Sequence, residues 1–185
     1  NVIKLGDGDF SLFAPEDSEY LYIFYNIIEI DINKWEWVAC NTYVARTRKR
    51  KDGIMGDFVK FYNGSFSEAG NFGKETPIVI NSWHPRVAFF EELNCYVLSS
   101  SPVNFGSTTQ IISDYMEIRT SNDLINWSEP ITLEKNGKKF GNHYQAICSY
   151  HGKNNAYYVD GNKFTILNCH NGTDVKAFDV SIERK

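Results

Sequence analysis

Hydrophobic positions along the chain fall in short runs, many alternating with polar residues, and the runs are broken by Gly, Asn, Asp and Pro. The three- and four-residue spacing of an amphipathic helix is nearly absent, so the pattern predicts an all-β chain. Strands are expected near 9–14, 20–26, 36–47 and 57–62, then near 84–90, 94–100, 114–121 and 130–134. A last group is expected near 143–150, 155–160, 163–169 and 175–182. Turn chemistry separates them at Pro15-Glu16-Asp17-Ser18, Asp31-Ile32-Asn33-Lys34 and Lys51-Asp52-Gly53. Asp160-Gly161-Asn162 reads as a tight hairpin turn. The stretch from Asn63 to Trp83, rich in Gly and Ser, reads as a long functional or flexible loop.

The strand groups repeat one another. Asp9, His84 and His143 each head a short apolar strand, followed by a polar turn and a strand rich in Tyr and β-branched residues. Tyr22, Tyr96 and Tyr157 follow the three heads at nearly constant spacing. A recurring unit of this size built from hairpins is the signature of a β-propeller of four-stranded antiparallel blades or of a related repeat fold. The units fall at about 1–70, 71–140 and 141–185, in one domain. Blade heads face a common funnel, so Asp9, His84 and His143 are expected to share one cavity. Three blades do not close a ring. A partial propeller follows, with exposed sheet faces covered by a missing N-terminal part or a second copy. Phe10, Leu12, Phe13, Ile147 and Ile166 are expected near that contact.

Composition narrows the class. With 42% hydrophobic and 23% charged residues the chain is an ordinary folded one. Aromatics reach 15%, which suits sheet packing and also sugar-stacking surfaces. A net charge of −4 argues against nucleic acid as a partner. The one basic run, Arg46 to Lys51, reads as a solvated hairpin end, with an anion patch as the alternative. No apolar stretch approaches membrane-spanning length, so no membrane partner is expected. Sequons at Asn63, Asn126 and Asn171 point to a secreted or cell-surface protein. The start at Asn1 suggests a processed or truncated chain. Cys40, Cys95, Cys148 and Cys169 match no zinc spacing and sit in apolar strands, which predicts buried thiols; disulfides are the extracellular alternative.

The run from Met116 to Pro130 carries the most specific motif: Ser121, Asp123, Leu124, Trp127 and Pro130. It resembles the S-x-D-L-x-x-W-x-x-P outer hairpin of five-bladed propeller glycosidases, those of glycoside hydrolase families 43, 32 and 68. Its role is structural: Asp123 caps the turn, Trp127 covers the blade edge, and Pro130 enters a strand without needing a ladder donor. Gly56 to Gly70 and Gly73-Lys-Glu-Thr-Pro77 look like uncharacterised relatives of those enzymes, and His84-Pro85 stands where they often carry Asp-Pro. The resemblance implies about three blades of an expected five, a C-terminal portion.

It also implies a chemistry. Glycoside hydrolysis takes two carboxyl groups, one held protonated as acid. Asp9 is the first candidate, with Asp7 beside it as the alternative; a capping role in the Gly-Asp-Gly-Asp turn competes with both. Glu75, in a Glu-x-Pro context like that of the family acid, is the second. His84, His143, Arg86, Trp83 and Tyr144 are candidates for sugar binding, with Phe105 as a further ring. Arg86 would pair with a substrate carboxylate or with Glu75. No cofactor or catalytic metal is expected, although a His at the ring centre leaves room for a structural cation. The expected function is a glycoside hydrolase-like protein acting on polysaccharide or oligosaccharide. The alternative from another class is a non-catalytic carbohydrate-binding or cell-surface propeller, and a protein-docking scaffold is a weaker third.

Overall fold

The computed structural model describes residues 1–105, 113, 115–142, 144–150, 157–170 and 174–182. Those residues form an all-β structure with no helix among them. None of them therefore forms a helix long and apolar enough to cross a membrane.

The first sheet is an antiparallel meander of β1 (Val2–Phe13), β2 (Tyr20–Asp31), β3 (Glu36–Arg48), β4 (Val59–Tyr62) and β5 (Ser65–Ala69). It has five strands where four were expected, because residues 65–69, read as loop, pair with β4. The second meander runs β6 (Ser82–Phe90), β7 (Cys95–Pro102), β8 (Glu117–Ser121) and β9 (Ile131–Thr132). A small hairpin follows, β10 (Glu134–Lys135) with β11 (Lys138–Lys139). The remainder holds β12 (Gln145–Ser149), β13 (Tyr158–Val159), β14 (Lys163–His170) and β15 (Asp174–Ser181).

The third unit departs from the expected four-stranded blade. β12 pairs with β14, not with β13, and β15 follows on the far side. β13 leaves its own unit and pairs in parallel with β6 of the second sheet. The turn at Asp160-Gly161 is present, with Gly161 at φ 72°. It is not a hairpin turn, since β13 and β14 lie in different sheets.

Side-chain alternation gives the second sheet two buried faces. Val87 of β6 and its partner Leu98 of β7 pack against Phe13, Phe24 and Val44 of the first sheet. Ala88, Phe90 and Val97 face the opposite way and pack against Ile147, Val159, Phe164 and Ile166. Phe13, Ile147 and Ile166 are thus inside this chain's own cores and unavailable to a partner, contrary to expectation, while Phe10 and Leu12 are exposed. All four cysteines are free thiols.

Candidate functional site

The heads of the first two units are bulges inside strands. In β1 the register with β2 shifts between Gly8 and Ser11, and in β6 the register with β7 shifts between Trp83 and Arg86. A bulge leaves a residue out of the ladder and re-aims its side chain. The residues so placed are Asp9, at φ 47°, and His84, at φ 54°. Two residues, one in each of the two large sheets, therefore share the left-handed backbone, which is uncommon outside glycine and which Asp and His adopt more readily than most side chains.

The strained heads meet. Trp83 Nε1 donates to Asp9 Oδ2 at 2.7 Å. His84 Nε2 lies 3.0 Å from Asp9 Oδ1. The Tyr144 ring stacks on the His84 ring at 4.6 Å, and Trp37 stacks on Trp83 at 4.7 Å. The Asp9 side chain is 35% exposed while that of His84 is 2% exposed. Asp9 and the exposed ring of Tyr144 are thus the parts a solute reaches, and His84 works from behind them.

A buried polar rivet holds His84 in place. Its backbone N–H donates to Asn26 Oδ1 at 2.7 Å. The Asn26 amide donates in turn to Ser82 O at 2.8 Å and to Asn41 O and Thr42 Oγ1 at 3.1 Å. Thr42 Oγ1 donates to Ser82 Oγ at 3.0 Å. Three buried side chains of β2, β3 and β6 thus satisfy one another and fix the bulge, as buried polar groups must. Asn26 stands out in the sequence as the lone amide in the apolar run Tyr20–Ile28. On the other side, Gly141 takes φ 122°, and a Cβ there would lie 2.8 Å from the Met116 backbone nitrogen. Cys169 N donates to Tyr144 O at 2.9 Å and seats the segment that carries the Tyr144 ring.

Arg86 lies near this junction. Its guanidinium donates to Pro85 O at 2.8 Å and to Phe10 O at 3.4 Å. Burial pushes its pKa down, against the raising effect of Tyr157 and Asp9. Cys40 lies nearby in the same cluster as Trp83. Burial, helped by the negative charge of Asp9, pushes its thiol up to about 12, so it stays protonated.

Glu75 is elsewhere. It is clamped by two ammonium groups, Lys4 and, at 2.7 Å, Lys60. Lys60 pairs with Ala45, which pairs with Ile23, so this trio belongs to the face of the first sheet that carries Ile23. Asp9 instead contacts β6, which packs on the opposite face. Burial alone would raise the Glu75 pKa, but the two lysines outweigh it and hold the carboxyl below its ordinary range. A general acid needs the opposite shift. The expected Asp9–Glu75 pair is therefore not assembled, and the expected Arg86–Glu75 pairing is replaced by the lysines. Short-range sequence context could not show this, because Lys4 lies 71 residues upstream of Glu75.

His143 lies outside the described residues. Among the described residues no cluster of three or more His, Cys, Asp or Glu could hold a metal ion. A groove of about 660 Å³ runs over the Ile23 face of the first sheet, lined by Gly8, Phe10, Tyr25, Phe58 and Lys60 among others, with Asp9 itself not in its wall.

No family model matches the chain, and no curated protein matches it. Its fold is similar to that of a solved N-acetylgalactosamine deacetylase from F. plautii in complex with blood group B trisaccharide. The TM-score is 0.53 at 13% identity, covering 92% of this chain and 51% of that one. The chain thus spans about half the length of that structure, and at this identity the likeness is one of fold.

Proposed function

We propose that this chain is part of a propeller-type carbohydrate-active protein and that it holds a glycan where Asp9, Trp83, His84 and Tyr144 meet. The observation that carries the reading is the convergence of Asp9 and His84, two repeat-equivalent heads, in the same strained backbone. Strain of this kind persists only where the surroundings over-determine it, and it clusters at binding and active sites. The half-exposed Tyr144 ring offers a face for a pyranose, and the Asp9 carboxylate accepts from sugar hydroxyls. Trp83 and the buried His84 orient these two groups, the first through its bond to Asp9 and the second through its contacts with both. The fold likeness to an enzyme solved with a blood group trisaccharide supports a glycan as the ligand class.

Within this reading binding is favoured over glycoside cleavage by this chain alone, because Glu75 is held ionised on another face. Cleavage would draw its second carboxyl group from a part of the protein beyond this chain, with Asp9 as base or nucleophile. A glycan array run beside a panel of chromogenic glycosides and N-acetylated sugars tests both. Retention of a glycan without turnover, weakened about tenfold in Asp9→Asn and Tyr144→Ala, is expected. Turnover abolished by Asp9→Asn would establish catalysis instead. The absence of both retention and turnover would overturn the proposal. A glycan ligand fits a secreted or cell-surface setting, with Asn63 and Asn126 in exposed turns. A mass shift on deglycosylation of protein from its native source checks that location, and an unchanged mass argues against it.

A further inference from the structure

We infer that the basic end of the β2–β3 hairpin is a separate binding site for a small molecule carrying a sulfate or phosphate ester. A cavity of about 400 Å³ opens there, walled by Tyr20, Arg46, Arg48, Arg50, Asp57 and Phe66 among others. Arg46 is its centre. The guanidinium carbon lies 3.9 Å from the Tyr20 ring centroid and 4.1 Å from that of Phe66.

The two rings clamp the guanidinium plane and fix its orientation through cation–π attraction. With the rings taking up the cation–π contact, its N–H groups are what it can offer to a ligand in the cavity. A planar, pre-oriented guanidinium matches a bidentate oxyanion and binds it without losing much side-chain freedom.

Charge accounting points the same way. Arg50 is matched by Asp52 at 2.6 Å, and Arg48 by Glu19 at 3.6 Å. Both pairs are exposed and would rearrange at little cost. Arg46, half-buried, has no carboxylate within 4.0 Å among the described residues. The two rings offset part of the cost of burying this cation, and an oxyanion on its N–H groups would complete the match. The volume exceeds what a bare sulfate fills, which leaves room for the rest of an ester. Asp57 in the wall accepts hydroxyl donors and disfavours a second anionic group. The basic run from Arg46 to Lys51 is thus more than a solvated strand end.

Isothermal titration of the intact chain with glucose 6-sulfate, glucose 6-phosphate and glucose at matched ionic strength tests the site. Binding of one or both esters without binding of glucose is expected, and the tighter ester identifies the source chemistry. Arg46→Lys keeps the charge but loses the planar fork, and should weaken the ester about tenfold or more. If that variant does not fold, the unmodified chain still decides. The amide resonances of Gly56 and Asp57, which line the cavity, should shift on ester titration and stay still with chloride. Equal affinity of Arg46→Lys and the unmodified chain, or unmoved resonances, would overturn the inference and leave the clamp a purely structural contact.

Discussion

A side chain with a Cβ sits in the left-handed region at a cost of about 1–2 kcal/mol, and Asp9 does so while accepting a hydrogen bond from Trp83. The two effects can be separated. Asp9→Gly and Asp9→Ala both delete the carboxylate, but only glycine relieves the backbone. After allowance for the extra freedom of glycine in the unfolded chain, Asp9→Gly should be the more stable by roughly 0.5–1 kcal/mol in urea unfolding. Equal stabilities would show that the backbone is not strained there. Glu75 yields a second expectation at this scale. Its folded pKa is depressed below the ordinary 4.5. Its stabilising contribution is therefore fully present above that value and is lost as pH falls through the folded pKa. Glu75→Gln leaves Lys60 buried with one partner fewer and should cost about 3 kcal/mol at neutral pH. Unfolding titrations at neutral and strongly acidic pH should show the gap between the two proteins narrowing in acid. A gap that does not change with pH would mean that the ion pairs are not its source.

The hairpin from Ser121 to Pro130 shows what makes an element readable in advance. Asp123 accepts from the backbone of Ile125 at 2.9 Å and of Asn126 at 2.7 Å, and Ser121 Oγ donates to it at 3.0 Å. Partial burial would raise its pKa, yet these donors prevail and hold it low. The turn drives Leu124 to φ 67° and buries its side chain in the first core, while Trp127 meets Phe24 edge-on across the two sheets. Asp123→Ala should cost about 2 kcal/mol, and Asp123→Asn distinctly less, read as a shift in the urea midpoint. Equal effects of the two would mean that turn geometry, not the carboxylate, decides. Every bond in this turn joins neighbours in the chain, so the sequence motif announces it. Asp9 and His84 stood out for a different reason, the likeness of the segments that follow them, since their own bonds reach far along the chain. Their bulged conformation was not readable: β1 begins well before Asp9, and the register shift depends on the partner strand. β5 was hidden in a Gly- and Ser-rich stretch, and β13 was visible as a strand while its partner was not.

At the scale of the molecule the three units are not separable pieces. Ile147, Val159, Phe164 and Ile166 close the core over Ala88, Phe90 and Val97, and β13 completes the edge of β6. A chain ending at residue 140 should therefore lose the cooperative transition of the second sheet and self-associate, as seen by hydrogen exchange and light scattering. Retention of the full transition in a monomer would mean that the second sheet stands alone. The repeat in the sequence revealed the strand content of this arrangement but not the exchange of β13, because a periodic pattern says which segments are alike and not which of them pair. That exchange also governs the order of events during synthesis. Phe89 and Phe90 wait for Tyr158 and Val159, so a long loop must close before the pairing returns any free energy. Such non-local pairing slows folding. At ordinary ribosomal rates the edge of β6 stays uncovered for on the order of 3–15 s after it emerges, and through that interval the nascent chain depends on something other than its own sequence to keep that edge from neighbouring chains.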